Sequence, residues 1–278
     1  MTLKEKRLHY LGPIGTFSEG LAKRLYPGYQ FEQHPTINSI CLAISKSTDD
    51  LALIPIENSQ EGSVNESLSS YVMYDLFIQR EIELQVNQCF FSMGDDIAKI
   101  QSLVSHPQSL GQCRQWIEAN FPNVAIVPTS SNAEGMVLAS KDPEIGAIGS
   151  SHAGNLYGLN LISENIQDAD FNVTKFNLVS STHLQVDNYN KTSIILSLPD
   201  DQGAGSLIEV LKPFALRGIP LTKIVSRPTS SSNWNYYFFI DFLGYFEEVE
   251  FNSLIRDIKK STSYFKLLGS YQKSHEIM

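Results

Sequence analysis

Short apolar runs alternate with stretches of helical periodicity over roughly residues 8–180. Residues 8–11 predict a strand and 18–26 a helix. The run LALIPI at 51–56 has the continuous apolar character of a buried strand. Residues 107–119 have helical periodicity, with Pro107 at the start, where its missing N–H costs nothing. Residues 124–127, 145–148 and 161–162 predict further short strands, with a helix over 132–140 between the first two. Strands alternating with helices imply βα units and a largely parallel sheet. The polar stretch THLQVDNYNK at 182–191 reads as a linker. Beyond it the order changes to strand (192–198), helix (205–216), strand (221–226), strand (236–243), helix (246–259) and strand (264–269). That β-α-β-β-α-β order is ferredoxin-like. PTSSSN at 228–233 is a polar turn between its two middle strands.

Composition narrows the picture. The chain has 278 residues, 42% hydrophobic and 18% charged. This is enough apolar material for a real core and enough length for two domains. Lys plus Arg number 21 against 30 Asp plus Glu, a net charge of −9. Such a field attracts neither nucleic acid nor an anionic membrane surface, so neither partner is expected. An anionic substrate needs a local site that overcomes the global sign. Cys41, Cys89 and Cys113 form no CxxC, and an odd count argues against a disulfide framework. No apolar run reaches the length of a spanning helix, and residues 1–7 lead into no signal-type apolar segment, so a cytoplasmic protein is expected.

GxGxxG after a strand, GxxxxGK[ST], HExxH and GxSxG are all missing. The six histidines (His9, His34, His106, His152, His183 and His275) show no ligand-like spacing. No metal or cofactor site is therefore expected.

What remains is a set of polar clusters following predicted strands, where open α/β sheets bind ligands. GPIGTFS at 12–18 places Thr16 and Ser18 at a helix start, as an anion site or an ordinary N-cap. Glu57, Asn58 and Ser59 come off a buried strand, more polar groups than a turn requires. Ser105 and His106 precede a helix that carries Gln112 one turn on. Ser131, in TSSN at 129–132, is another cap or another ligand. Asn172, Thr174, Lys175 and Phe176 read on their own as a strand with one exposed face.

Taken in order, these clusters resemble the prephenate dehydratase family. The matching segments are GPIGTFS (12–18), PIENSQEGSV (55–64), SHPQSLGQC (105–113), TSSNA (129–133), AIGSSHAGNLYGL (147–159) and NVTKF (172–176). The tail resembles the regulatory module called ACT, through Gly205-Ser206-Leu207 and Ser226-Arg227-Pro228. The resemblance implies a catalytic domain over 1–183 and an ACT domain over 191–278. The first would fold as two α/β lobes like periplasmic solute-binding proteins, with the site in the cleft. The chain would cross between lobes near residues 80 and 165, the crossings forming a hinge. The reaction implied is conversion of prephenate to phenylpyruvate with loss of CO₂ and water, in phenylalanine biosynthesis and without a cofactor.

By the same resemblance Thr174 stands at the leaving hydroxyl, with Glu57 as the stronger acid behind it and Asn58 beside it. Thr16, Ser59, Ser105, Gln112 and Ser131 supply neutral donors, and His106 orients a neighbour. Asn172 and Phe176 complete the substrate site, and Lys175 adds the positive charge that the net −9 lacks. L-phenylalanine is the implied effector, near Gly205, Ser206, Leu207, Ser226, Arg227 and Pro228. Paired ACT modules imply a homodimer or homotetramer. The chain departs from the family pattern at Lys175 (usually Arg), Glu19 (often His), Ser206 (usually Ala), Pro220 (usually Asn) and Val225 (usually Glu). Alternatives are arogenate as substrate, a prephenate decarboxylase that keeps the hydroxyl, a non-catalytic solute-binding protein and an amino-acid-binding regulator.

Overall fold

The computed structural model describes residues 6–183, 189–199, 203–229, 235–244, 248–274 and 277–278. The first lobe contains β1 (Arg7–Leu11), α1 (Phe17–Leu25), β2 (Gln30–His34), α2 (Ile37–Ile44), β3 (Leu51–Asn58), β4 (Gly62–Ser63), α3 (Asn65–Met73) and β5 (Phe77–Gln85). The second contains β6 (Cys89–Ser92), β7 (Ser102–Ser105), α4 (Pro107–Gln112), α5 (Arg114–Asn120), β8 (Ala125–Pro128), α6 (Asn132–Ala139), β9 (Ile145–Gly149), α7 (Ser151–Leu156) and β10 (Asn160–Ser163). The chain then returns to the first lobe as β11 (Val173–Ser180).

The first sheet has the order β2-β1-β3-β11-β5, with β4 paired to β3. β1 runs parallel to β2 and β3, whereas the returning β11 lies antiparallel between β3 and β5. The second sheet is β10-β6-β9-β7-β8, parallel at β7 and antiparallel at β6 and β10. The expected parallel sheet is thus mixed wherever the chain enters or leaves a lobe.

The outward crossing lies at 86–88, not near residue 80. β5 runs on to Gln85 because Ile78, Ile82 and Leu84 are all buried. The return occupies 164–172. It also explains why the helix expected over 107–119 breaks into α4 and α5. Gln112 O accepts the Asp168 N–H (2.7 Å) instead of a helical donor, and the Asp168 carboxylate accepts the Gln115 N–H at the new helix start (3.1 Å). Cys113 adopts φ −115°, ψ 20° at the junction. Cys41, Cys89 and Cys113 are buried and free. Burial pushes the Cys41 thiol up to about 11 and the Cys113 thiol up to about 12, so neither supplies thiolate at neutral pH.

The third unit has β12 (Lys191–Ser197), α8 (Ser206–Leu216), β13 (Leu221–Pro228), β14 (Tyr236–Leu243), α9 (Glu248–Lys259) and β15 (Tyr264–Tyr271). Its antiparallel sheet has the order β13-β14-β12-β15, the ferredoxin-like ACT arrangement. Alternation along β12 separates two cores. Ile194 and Leu196 pack with Val210, Phe214, Leu254 and Ile258 of the helices. Ile195, with Phe239, Leu268 and Tyr271, packs on Ile40, Ile54, Tyr71 and Ile78 of the first lobe. Gly269 has φ +142°, and a Cβ there would meet Ile78 O at 2.6 Å, so β15 crosses β5 backbone to backbone. Residues 184–188 of the expected linker, 230–233 of the expected turn, 246–247 of the expected helix and His275 lie outside the described residues. Among the described residues no helix is long and apolar enough to cross a membrane.

Candidate active site

A cavity of about 330 Å³ opens between the two lobes. Its walls come from four turns that each lead from a strand into a helix, the location expected of an open α/β site. Thr16, Phe17 and Ser18 begin α1; His106, Gln108 and Ser109 begin α4; Ser130, Ser131 and Asn132 begin α6; Ser150 begins α7. The end of β3 adds Asn58, and the start of β11 adds Thr174 and Phe176. Among the described residues no Lys, Arg, Asp or Glu lines the cavity. The groups that can face an anion there are the positive ends of helices and neutral donors.

The strand pairing places Asn58 directly beside Thr174. Asn58 Nδ2 donates to Thr174 Oγ1 (3.0 Å) and to Asn172 Oδ1 (2.9 Å). Asn58 Oδ1 accepts the N–H groups of Gln60 and Glu61 (2.9 and 3.2 Å), which fixes the amide's orientation. Because Thr174 Oγ1 accepts from Asn58, its own proton is free to be donated into the cavity. Gln88 repeats this device. Its Nε2 donates to Ser109 Oγ and Gln112 Oε1, both at 3.1 Å, turning the Ser109 hydroxyl and the Gln112 amide N–H groups outward. Gln88 is 2% exposed and lies on the outward lobe crossing.

Of the residues singled out from sequence, Thr16, Asn58, His106, Gln112, Ser131, Thr174 and Phe176 line the cavity. Thr16 donates to Leu11 O (3.0 Å) and accepts the Glu19 N–H, as the N-cap reading expected. Ser131 caps α6 by accepting the Glu134 N–H (3.1 Å). His106 Nδ1 accepts the Gln108 N–H (3.3 Å), which leaves Nε2 to carry the proton of the neutral ring. Ser105 and Asn172 are fully buried behind the wall. Ser105 Oγ lies 2.7 Å from Ile148 O and 2.9 Å from Asn132 Oδ1, so it positions Asn132. Ser59 ties β3 to β11, its Oγ accepting the Val173 N–H (3.0 Å).

Glu57 and Lys175 do not reach the cavity. Alternation along β3 and β11 turns them to the opposite face of the sheet from Asn58 and Thr174. Lys175 Nζ lies 3.8 Å from Glu57 and 3.9 Å from Glu83 of β5, and Lys223 of β13 lies 3.4 Å from Glu57. The expected proton source and the expected carboxylate clamp are instead parts of the seam with the ACT module. The cavity also takes in Ser18, named at the first helix start, and Gln108, Ser109, Ser130, Asn132 and Ser150, which sequence reading did not single out individually, and Gln88, which it passed over. Most belong to the motifs already quoted; Gln88 belongs to none.

Behind the first turn stands Glu19, 2% exposed. Its carboxylate accepts from Gly15 N–H (2.6 Å), Lys23 Nζ (2.8 Å) and, across the cleft, His152 Nε2 (3.0 Å) on α7. Burial acts to raise its pKa. The hydrogen bonds from Lys23, Gly15 and His152 outweigh it and hold the carboxyl below the usual range. Gly15 has φ +91°, which side chains rarely adopt, and a Cβ there would sit 3.2 Å from both Ala133 and Tyr157 of the second lobe.

In the ACT module, Gly205 (φ +99°) precedes α8, and Ser206 Oγ donates to Gly203 O (2.6 Å). Ser197 at the end of β12 and Arg227 both register with Tyr237, so 205–207 and 226–228 share one end of the sheet. Ser226 and Pro228 are exposed. Arg227 turns inward, donating to Asn65 O and to Ser69 Oγ (2.6 Å) on α3. Val225, where the family usually has Glu, packs on the first lobe's apolar core.

The model of the family described as prephenate dehydratase matches residues 8–183. The chain is 34% identical over 273 residues to the bifunctional chorismate mutase/prephenate dehydratase of Aquifex aeolicus, covering 98% of this chain and 75% of that protein. It is 34% identical over 274 residues to the prephenate dehydratase of Methanocaldococcus jannaschii, covering 96% and 98%. Among solved structures, prephenate dehydratase from Arthrobacter aurescens in complex with L-Phe matches with a TM-score of 0.84 at 29% identity, covering 96% of this chain and 89% of that one. A cleft of neutral donors around Thr174, and likeness over nearly the full length, lead to one conclusion: the chain belongs to the prephenate dehydratase family.

Proposed function

We propose that the cavity converts prephenate to phenylpyruvate, CO₂ and water, as a cytoplasmic step of L-phenylalanine biosynthesis. The bond from the ring to its carboxylate breaks and its electron pair enters the ring. The ring C–O bond opposite breaks, the hydroxyl leaves, and one proton converts it to water. Aromatisation supplies much of the driving force, so no base is needed. The protein must hold two carboxylates and a ketone and stabilise charge on the departing oxygen.

The observation that carries this reading is the Asn58–Thr174 hydrogen bond, which leaves the Thr174 O–H as a donor aimed at the substrate. A threonine hydroxyl is a very weak acid. Its contribution is a hydrogen bond to the leaving oxygen. Among the described residues that line the cavity, His106 is the side chain suited to resupply the proton, through its ring nitrogen. Thr16, Gln112, Ser131, Ser109 and the helix starts hold the carboxylates. Arogenate carries an ammonium group in place of the ketone, and among the described residues no carboxylate lines the cavity to pair with it. The keto acid is therefore the better fit.

L-phenylalanine is the proposed feedback effector, with Gly205, Ser206, Leu207, Ser226, Arg227 and Pro228 near it in a homodimer or homotetramer. The Arthrobacter relative, whose structure holds L-Phe, supports this. A route to the site is at hand, because β13 carries both Arg227 and Lys223, and Lys223 contacts Glu57 next to Asn58. The test is turnover of prephenate near neutral pH with products separated, arogenate in parallel and L-phenylalanine titrated. Phenylpyruvate well above the spontaneous rate is expected. Folded protein with no turnover overturns the activity, and a flat response to millimolar L-phenylalanine overturns the feedback.

A further inference from the structure

At the outer edge of the first sheet, β1 and β2 run parallel with His9 opposite Glu32 and Leu11 opposite His34. Alternation puts His9, Glu32 and His34 on one face, although they are 23 and 25 positions apart or adjacent-but-one along the chain. His9 Nδ1 and His34 Nε2 face each other at 2.8 Å. The Glu32 carboxylate lies between them, Oε2 3.8 Å from His9 Nδ1 and Oε1 3.8 Å from His34 Nε2. One nitrogen or oxygen from each residue fits within 4.8 Å of the others. Ligands about 2.1 Å from a tetrahedral ion stand roughly 3.4 Å apart, between the 2.8 Å of the two rings and the 3.8 Å from each ring to its nearer Glu32 oxygen.

The far side of His9 gives an independent indication. His9 is 3% exposed, and its Nε2 has no hydrogen-bond partner. It lies 3.6 Å from Asp50 Oδ2. An imidazole that binds an ion through one nitrogen characteristically presents the other to a carboxylate, which fixes the tautomer and the ring. Asp50 is in turn held by Arg7 Nη2 (3.0 Å), whose Nη1 reaches Glu32 (3.4 Å). A hydrogen bond between two neutral rings accounts for the 2.8 Å contact. It gives no role to a carboxylate equidistant from both rings, nor to Asp50 behind the unpartnered nitrogen.

We propose that His9, Glu32 and His34 bind a divalent transition-metal ion of the zinc type, with Asp50 orienting His9 and water completing the coordination. Two imidazoles and one carboxylate suit zinc better than magnesium or calcium, which favour all-oxygen sets. The half-exposed Glu32 leaves a path for the ion. The site holds none of the residues placed at the reacting groups, so the ion's role is structural. His34 O accepts the Gly12 N–H (2.9 Å), so an ion on His34 ties the edge of the sheet to the turn that forms one cavity wall.

The experiment uses tag-free protein stripped with a chelator and checked for native circular dichroism. Zinc is titrated in competition with a chromophoric chelator, and bound metal is counted by mass spectrometry. About one ion per chain is expected, with Tm rising on zinc addition. Glu32→Ala, an exposed change that the fold tolerates, and His34→Ala are expected to lower affinity by about 100-fold and abolish the Tm response. Asp50→Asn is expected to cost about 10–100-fold. Cobalt in place of zinc is expected to show ligand-field absorption that Glu32→Ala alters. Wild-type protein that holds no ion at micromolar free zinc overturns the proposal. So does equal binding by wild type, Glu32→Ala and His34→Ala.

Discussion

The strands β3, β11 and β5 present two faces with opposite chemistry. One face looks into the cleft through Asn58, Thr174 and Phe176, without a charged group. The other looks toward the ACT module through Glu57, Lys175, Glu83 and Glu81, met by Lys223, Lys191 and Asp241. Neutral, pre-aimed donors suit the place where charge has to appear on a leaving oxygen, since they need no reorganisation when it does. Paired charges suit the place where two folded units must meet in one register, because a misaligned charge is costly there. The two faces are one peptide bond apart. A shift of β13 felt at Glu57 is felt next at Asn58.

The largest expected effect lies on the cleft face. Thr174→Ala is expected to lower kcat by about 10²–10⁴-fold with little change in KM, the span of one acid–base group. Thr174→Ser, which keeps the hydroxyl, is expected to recover most of it. A Thr174→Ala enzyme of near-normal kcat would remove the cleft face from the chemistry.

On the other face the largest expected effect is on stability. Lys191 Nζ lies 2.5 Å from Glu81 and 3.1 Å from Asp241, and the lysine is 4% exposed. Burial opposes its charge, but Asp241 and Glu81 outweigh that and hold its pKa above the usual lysine value. Lys191→Ala strands two carboxylates, so a loss of about 3–5 kcal/mol is expected in chemical denaturation. A loss under 1 kcal/mol would show that the seam does not hold the module.

Glu19 sharpens the contrast, as a buried charge set back from the neutral cleft. Its lowered pKa means that it stabilises the fold above the unfolded carboxyl value, about 4.3, and that this stabilisation is lost as pH falls through the folded value. Glu19→Gln is expected to flatten the fall in Tm between about pH 5 and pH 3. An unchanged acid limb would place that slope in other groups. The smallest effect is expected for Lys175→Ala, whose partly exposed pairs are worth about 0–1 kcal/mol, with KM for prephenate within about 2-fold of wild type. A tenfold rise would bring Lys175 back to the substrate.

Much of this was legible beforehand. Apolar runs marked β1, β3, β9 and the whole βαββαβ unit, and the strand-end clusters marked three of the four helix-starting turns and the two strands that complete the cavity. The split between Glu57 and Asn58 was legible too, because neighbours on a strand point to opposite faces, yet a motif quoted as a string hides that alternation. β5 was missed because its polar residues Arg80, Glu81 and Glu83 resemble a solvated segment; Arg80 is indeed exposed, but Glu81 and Glu83 face the third unit, which supplies Lys191 and Ser274. β2 was missed for a similar reason, with only Phe31 apolar in its five residues. Gln88 carried no local signal. Its role comes from Ser109 and Gln112, which only the fold brings within reach.

A cleft that no charged side chain lines among the described residues also has a kinetic consequence. Such a site holds a dianion once it arrives but does little to draw it in from solution, while the chain's surplus of nine negative charges repels it. Encounter, rather than grip, is where the field of the whole molecule acts. Added salt shortens the reach of that repulsion. The association rate for an anionic substrate therefore rises with ionic strength over the range where the rates of cationic, electrostatically steered enzymes fall.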